Sequence, residues 1–250
     1  MRKIIYEEEN LLIDEGVFFA RGVFETILFL DKPIFLDEHI KRLKIGMNIL
    51  GLGELEEDIL LDFFEKVKIY NKAVKITVTP KNIIITKRDV PYLSDNYEKG
   101  ARLIVSSVRR NTTSKLSYIK SVSYIENMLE KEEAIRKGFS DALLLNEKGY
   151  VSETTCANVF IIKDNSIITP PIEDGLLSGI IRGWIIENFK VYERSITLDD
   201  LEKADEVFIT NSLMGIMPVR GIDRIDFTKE KVTDEIKSKY NKYIEKRRGK

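Results

Sequence analysis

The stretch that decides the fold is residues 118–160, which read YIKSVSYIENMLEKEEAIRKGFSDALLLNEKGYVSETTCANVF. Ser123 and Glu126 have the spacing of a capping box, which predicts a helix over residues 123–137 that stops at Gly138. Apolar runs separated by turn residues then predict three strands, at residues 142–145, 150–153 and 157–163. A helix followed by a meander of strands is typical of an α+β fold.

The chain on either side of this stretch shows the same mixture of helices and strands. Apolar residues spaced by three and four from Ile40 to Leu50 predict a helix over residues 37–50. Helix N-termini are also expected at Ser178 and near Ser212. The remaining predictions are helices at 55–67 and 178–189, strands at 74–79, 82–87, 101–107, 167–169 and 206–210, and a final lysine-rich helix.

A polar stretch without periodicity, residues 109–115, lies between a predicted strand and the 123–137 helix. It is the best candidate for a connection between domains. We therefore predict a small N-terminal domain at residues 1–110, a connection at 111–116 and a larger C-terminal domain at 117–250.

The charge and cysteine content exclude several classes of protein. Forty Lys and Arg nearly balance 41 Asp and Glu, so no net field would recruit nucleic acid or an anionic membrane. No apolar run has the length of a membrane span, and the N-terminus lacks the apolar core of a signal peptide. The single cysteine, Cys156, argues against a disulfide framework and a cysteine-clustered zinc site. We expect a cytoplasmic protein with no metal site.

The possible catalytic chemistry is narrowed by what the sequence lacks. His39 is the only histidine, and HExxH, CxxC and Walker-type glycine motifs are absent. The sequence therefore does not match the catalytic motifs of most hydrolases. Structural hydrogen bonding is the favoured role for His39 on its helix. Lysine remains a candidate catalytic residue, because a desolvated amine can form a Schiff base. Composition does not single out one lysine, but Lys120 lies in a moderately apolar stretch where strand-like chain becomes helix.

Two further features suit an anionic cofactor with a basic ring. The expected helix N-termini at Ser178 and Ser212 offer backbone N–H groups beside hydroxyls, a combination that suits a phosphate, although helix capping is their commoner role. Glu153 lies in a predicted strand, and a buried carboxylate there would need a cationic partner. A protonated ring nitrogen would meet that need.

Seven segments carry a resemblance to a known family, from Gly22 to about Gly221. They are GVFETI at 22–27, HIKRL at 39–43, KSVSYIEN at 120–127, DALLLN at 141–146, VSETTCANVF at 151–160, GLLSGIIR at 175–182 and ADEVFITNSLMGIMPV at 204–219. In this order they resemble the class IV aminotransferase family. The resemblance implies a two-domain fold-type IV enzyme, like D-amino-acid aminotransferase, with a small N-terminal α/β domain. It also implies pyridoxal phosphate as cofactor, a small-molecule amino substrate and a homodimer.

The resemblance also implies roles for individual residues. Lys120 would carry the cofactor and act in catalysis, and Glu153 would pair with the pyridine nitrogen. The other implied cofactor contacts are Arg42, Gly179, Ile180 and Ser212 at the phosphate, Leu177 on a ring face and Tyr124 as a hydrogen-bond donor, with packing as the alternative role of Tyr124. Substrate contacts are expected from Thr26, Arg109 and Asn211, and a position in a solvated linker is the alternative for Arg109.

Three departures from the family pattern bear on function. Ile181 stands where threonine is frequent, and Ser123 stands where asparagine is frequent. Residues 79–82 replace a longer, arginine-bearing loop that many members use to receive a substrate carboxylate, so a carboxylate anchor must lie elsewhere. The first two departures keep open a relative that binds a ligand without catalysis.

The segment NSLMGIMPV at 211–219 looks more like aminodeoxychorismate lyases than like aminotransferases. Leu28, in place of the arginine found in many transaminases, favours the same choice. The predicted function is therefore conversion of 4-amino-4-deoxychorismate to 4-aminobenzoate and pyruvate, a step of folate biosynthesis. The alternative is a class IV aminotransferase that acts on branched-chain or D-amino acids.

Overall fold

A computed structural model describes residues 2–6 and 10–248. The chain divides into two compact units. The smaller unit takes the described residues of Met1–Pro91, Ile119–Tyr124 and Lys246–Lys250, and the larger takes Tyr92–Tyr118 and Ile125–Glu245. Residues 111–116, where the sequence places the interdomain connection, belong to the larger unit. The reason is that the strand before them, Ala101–Arg110, pairs on both sides with strands of that unit.

The smaller unit is a four-stranded sheet with helices. Its strands are β1 (Lys3–Tyr6), β2 (Val23–Phe29), β3 (Lys72–Val78) and β4 (Asn82–Arg88), and its helices are α1 (Glu15–Phe19), α2 (Leu36–Ile49) and α3 (Glu57–Lys66). The strand order is β1-β4-β3-β2, antiparallel except for the β1–β4 pair. The predicted 37–50 helix is confirmed as α2. Its buried stripe, which includes Leu43 and Met47, packs with Val23, Ile27 and Ile76 of the sheet.

Residues 119–124 extend this sheet beside its edge strand β2. Phe24 N–H donates to the Lys120 carbonyl at 2.8 Å, and Val122 N–H donates to the Gly22 carbonyl at 2.9 Å. The next helix, α5 (Ile125–Arg136), therefore begins two residues later than the capping-box pattern predicts, because this pairing holds the preceding residues extended. Lys120 lies in the paired segment, with β2 between it and β3.

The larger unit carries the other helices and strands. They are α4 (Ser94–Lys99), β5 (Ala101–Arg110), α5, β6 (Asp141–Asn146), β7 (Val151–Thr154), β8 (Asn158–Lys163), β9 (Ser166–Thr169), α6 (Ile180–Asn188), β10 (Val191–Glu193), α7 (Leu198–Glu202), β11 (Glu206–Asn211), β12 (Gly215–Ile222), β13 (Ile225–Asp226) and α8 (Lys231–Arg248) up to Glu245. The predicted strands between residues 142 and 169 are confirmed, each within about two residues of its predicted ends.

The strands of the larger unit form a sheet that closes on itself. The order β8-β11-β12-β5-β6-β7 returns to β8, because β7 also pairs with β8, and β9 and β10 continue from β8. Alternate residues of these strands, among them Leu103, Leu143 and Val207, face inward and form the core of the unit.

One predicted helix N-terminus is wrong. Ser212 lies in the turn of a hairpin between β11 and β12, since Asn211 pairs with Gly215. Gly215 has φ +65°, a value that favours glycine, and this allows the chain to reverse directly into β12. None of the helices in the described part of the chain combines the length and apolar character needed to span a bilayer.

Candidate active site

Lys120 lies against two aromatic rings of the smaller unit. Its Nζ is 4.5 Å from the centroid of the Phe24 ring and 5.8 Å from that of Tyr124. The two rings meet edge to face, with centroids 5.4 Å apart and planes at 87°. Tyr124 precedes α5 rather than lying on it. The structure thus holds the Lys120 amine against the faces of two aromatic rings, which attract a cation.

Arg42 is held by a buried carboxylate on the opposite face of β2. Its Nε and Nη2 donate to the two oxygens of Glu25, at 2.7 and 2.8 Å. His39, one turn earlier on α2, shares Glu25 through Nδ1 at 2.6 Å. A bidentate pair fixes the plane of a guanidinium. The cluster therefore sets the direction in which Arg42 presents its remaining N–H groups.

Burial and charge set the protonation states in this cluster. Burial alone would raise the pKa of Glu25, but the Arg42 charge and the hydrogen bonds of Arg42 and His39 hold it well below its usual range. Burial lowers the pKa of His39, against the raising effect of Glu25, and the charges of Arg42 and Lys120 lower it further. His39 is thus a neutral imidazole that donates Nδ1–H to an ionised Glu25.

Glu153 occupies a buried position in the larger unit. Arg110 Nη2 donates to its Oε1 at 3.1 Å, and the backbone N–H of Leu177 donates to its Oε2 at 3.2 Å. The β6–β7 pairing shifts register between Leu144 and Leu145, and Glu153 pairs directly with Asn158 on β8. Directly paired residues present their side chains on the same face of a sheet. The shift therefore sets the face on which Glu153 lies.

The N-terminus of α6 lies beside Asn158, the residue that pairs with Glu153. Asn158 pairs with Thr210 on β11, and its Nδ2 donates to the Leu177 carbonyl at 2.8 Å. A Cβ at Gly179, the N-cap residue of α6, would lie 1.9 Å from Asn158 Oδ1. Only glycine lets the backbone come this close. Within the described residues, the buried Thr210 hydroxyl has no hydrogen-bond partner.

Asn211 organises the hairpin turn that contains Ser212. Its Oδ1 accepts hydrogen bonds from the N–H groups of Leu213 and Met214, at 3.0 and 2.9 Å. Its Nδ2 donates to the Cys156 carbonyl at 3.2 Å. Asn211 thus links the turn to the loop that follows Glu153. This structural role is additional to the predicted substrate contact.

The other predicted site residues fall on defined elements. Thr26 lies on β2, two residues from Phe24 and on the same face. Arg109 lies on β5 and not in a linker, and its Nη1 donates to the Ser106 carbonyl at 2.6 Å. The smaller unit holds Thr26, Arg42, Lys120 and Tyr124, and the larger holds Arg109, Glu153, Leu177, Gly179, Ile180, Asn211 and Ser212.

Comparison with known proteins identifies the family. The profile of the Amino-transferase class IV family matches residues 22–222. The chain belongs to this family. It is 29% identical to an aminodeoxychorismate lyase of Bacillus subtilis, over 95% of this chain and 92% of that protein. It is 34% identical to a protein of Aquifex aeolicus described as a probable branched-chain-amino-acid aminotransferase, over 87% and 72%.

A solved structure agrees with this assignment. A protein of Legionella pneumophila assigned as a 4-amino-4-deoxychorismate lyase superposes with a TM-score of 0.86 at 30% identity, covering 96% of this chain and 98% of that one. The chain thus has the predicted fold of fold-type IV enzymes. Class IV aminotransferases are pyridoxal-phosphate-dependent enzymes, so this protein is an enzyme with that cofactor.

The residues of the larger unit suit this cofactor. The N-terminus of α6 presents backbone N–H groups and the positive end of the helix dipole, which suit a phosphate, and Gly179 leaves the backbone open to close approach. Thr210 pairs with Asn158, and its buried hydroxyl has no hydrogen-bond partner in the part of the chain that the structure describes. Glu153 is a buried carboxylate that could pair with a pyridinium nitrogen. The donor set therefore fits pyridoxal phosphate.

Two residues of the site were missed by sequence reasoning. The sequence shows Glu25 only as part of a motif, and it shows Arg110 only within the polar stretch at residues 109–115. The alternation of β2 carried a signal for Glu25, since a carboxylate among inward-facing apolar residues requires a cation. No comparable signal existed for Arg110, because its pairing with Glu153 joins positions 43 residues apart.

Proposed function

We propose that this enzyme is a lyase that converts 4-amino-4-deoxychorismate to 4-aminobenzoate and pyruvate in folate biosynthesis. It would act in the cytoplasm as a homodimer. Lys120 carries the cofactor, Glu153 pairs with the pyridine nitrogen, and Arg42 binds the phosphate with Gly179, Ile180 and Ser212. Leu177 packs on the ring, Tyr124 lies beside it, and Thr26, Arg109 and Asn211 contact the substrate.

The chain's own groups have separate tasks in this reaction. Pyridoxal phosphate supplies an electron sink for the substrate carbon that carries the amine. Lys120, whose amine is released when substrate binds, takes a proton from that carbon and delivers one as pyruvate leaves. Glu153 keeps a positive charge on the ring nitrogen because Arg110 and the Leu177 N–H hold its carboxylate in place. Phe24 positions the lysine amine, which lies 4.5 Å from the centroid of its ring.

The observation that carries the choice of a lyase is the closed turn at residues 79–82. Thr79 N–H donates to the Asn82 carbonyl at 2.9 Å, and Asp14 accepts from the Thr79 hydroxyl at 2.6 Å and from Lys81 N–H at 2.8 Å. The turn contains no arginine, and the Thr79 hydroxyl, the Lys81 N–H and the Asn82 side-chain amide all donate to Asp14. It does not offer the carboxylate-binding loop expected of many class IV aminotransferases.

An aminotransferase is the second candidate, and the 34% identity to the Aquifex aeolicus protein favours it. The two reactions differ in their need for an amino acceptor. Purified holoenzyme should be assayed with aminodeoxychorismate alone, and in parallel with L- and D-amino acids plus a keto acid. We expect 4-aminobenzoate without any keto acid. Amino transfer from branched-chain or D-amino acids, with no 4-aminobenzoate, would select the alternative.

Replacement of the proposed cofactor lysine provides the first prediction. Lys120→Ala should abolish the visible absorbance of the lysine-bound cofactor and reduce kcat by at least about 10³-fold, since both attachment and proton transfer are lost. Lys68→Gln, a change at an exposed lysine of the same unit, should leave both unchanged. Full turnover in Lys120→Ala would remove the assignment.

A further inference from the structure

A second lysine lies beside the ring that Lys120 contacts. Lys75 is in the middle of β3, and its Nζ is 4.4 Å from the centroid of the Phe24 ring. Lys75 pairs across the strands with Thr26, so the two side chains lie on one face of the sheet, and Phe24 shares that face. Because Lys120 Nζ is 4.5 Å from the same centroid, the two ammonium groups are no further apart than these distances combined.

Among the residues that the structure describes, no acid balances the positive charge of Lys75. Lys75 pairs with Thr86 on β4, which places Arg88, two residues further on, on the same face. Burial of the ammonium group lowers the pKa of Lys75, although the residue stays accessible to solvent, and the charge of Arg88 lowers it further. Among the described residues no carboxylate forms an ion pair with Lys75. Glu25 of the adjacent strand points to the opposite face, where it is bound to Arg42.

The positive charge of Lys75 favours the binding of an anionic group of the substrate. Lys75 and Arg88 repel each other on this face, and a substrate carboxylate would stabilise both cations. Thr26, which pairs with Lys75 across the strands, could donate a further hydrogen bond to that carboxylate. In the turn at residues 79–82, the Thr79 hydroxyl and the Lys81 N–H donate to Asp14, so these groups do not bind the substrate carboxylate.

We propose that Lys75 determines specificity by binding a substrate carboxylate that is remote from the reacting amine. This inference rests on the proposed function insofar as Lys120 is the reactive lysine. The substrate class is then a small amine that bears a carboxylate one ring or a short chain away from its nitrogen. Thr26 assists Lys75, and Phe24 provides the apolar surface between the two lysines.

The test compares holoenzyme variants that keep or remove the charge at position 75. In Lys75→Gln, the KM for aminodeoxychorismate should rise about tenfold with kcat changed less than about twofold, the loss expected for one charge-assisted hydrogen bond. Lys75→Arg should recover most of the affinity. Lys68→Gln is the matched control for loss of one lysine charge and should behave as wild type.

A binding measurement separates this inference from the proposed reaction. The visible absorbance of the lysine-bound cofactor is titrated with 4-aminobenzoate and with aniline, which has the same ring and amine but no carboxylate. Lys75→Gln should weaken 4-aminobenzoate about tenfold and leave aniline unchanged. Equal affinities in wild type and Lys75→Gln, or equal weakening of both compounds, would overturn the role of Lys75. Failure to form 4-aminobenzoate from aminodeoxychorismate would overturn the proposed lyase reaction. The comparison of 4-aminobenzoate with aniline would still test the role of Lys75.

Discussion

At the scale of single residues, the protonation of His39 couples the proposed phosphate-binding residue to pH. His39 is fully buried, and its Nε2 has no hydrogen-bond partner among the described residues. Protonation would place a second cation beside Arg42, which shares the single carboxylate of Glu25. The folded state therefore favours the neutral form of His39.

This coupling predicts a loss of stability at mildly acidic pH. The pKa of His39 in the fold lies below its ordinary value of 6.5, so the unfolded chain binds more protons below that pH. The free energy of unfolding should be constant above pH 7 and fall as pH drops below 6.5, at up to about 1.4 kcal/mol per pH unit. Since His39 is the only histidine, His39→Gln should remove the slope between pH 7 and 5.5 in denaturant titrations. An unchanged slope would contradict the assignment.

At the scale of the elements, two glycines of α6 provide a matched pair. Gly179 is the N-cap residue just before the helix, and a Cβ there would displace the Asn158 amide that binds the Leu177 carbonyl. Gly183 lies within the helix, and a Cβ there would meet no atom within 4 Å. The same substitution should therefore have opposite effects at the two positions.

Gly179→Ala should weaken pyridoxal phosphate binding about tenfold and lower stability by about 1–2 kcal/mol, because a buried hydrogen bond breaks at the helix N-terminus. Gly183→Ala should raise stability by about 0.5–1 kcal/mol, since alanine loses less entropy in a helix, and should leave cofactor affinity unchanged. Equilibrium titration with the cofactor and calorimetry measure both effects. Equal cofactor affinity in the two variants would contradict the role of Gly179.

At the scale of the whole molecule, an apolar ridge on the smaller unit supports the proposed homodimer. Its members are Leu11, Leu12, Ile13, Val17, Phe18 and Phe19, with 45–77% of their surfaces exposed. Asp14 caps α1 through Gly16 N–H and binds the turn at residues 79–82, so the ridge has a defined conformation. Contiguous exposed apolar patches of this kind mark interaction surfaces.

The ridge leads to a prediction about assembly. Phe18→Glu combined with Phe19→Glu should convert the dimer to monomer, with a loss of at least about 10²-fold in dimer affinity, because two charges would be buried without partners. Analytical ultracentrifugation measures the change. Ile59→Glu, at an exposed position of α3 outside the ridge, is the control and should remain dimeric. A dimer that survives the double substitution would place the interface elsewhere.

The sequence by itself determined the elements whose signals are local. Apolar spacing predicted α2, and apolar runs between turn residues predicted the strands around Glu153, because the apolar residues of each element must be buried wherever it packs. The ordered motifs also identified the family and its cofactor.

The tertiary structure decided what depends on pairing between distant segments. The register shift between β6 and β7 sets the face of Glu153, and the hairpin at Ser212 replaces the predicted helix N-terminus. Glu25 is bound to Arg42, Arg110 to Glu153, and Lys75 lies beside Phe24 and Lys120. The spacing of residues along one element encodes which face is buried. It does not encode which side chain of another element will lie opposite, since strand register and helix packing are set by the fold as a whole.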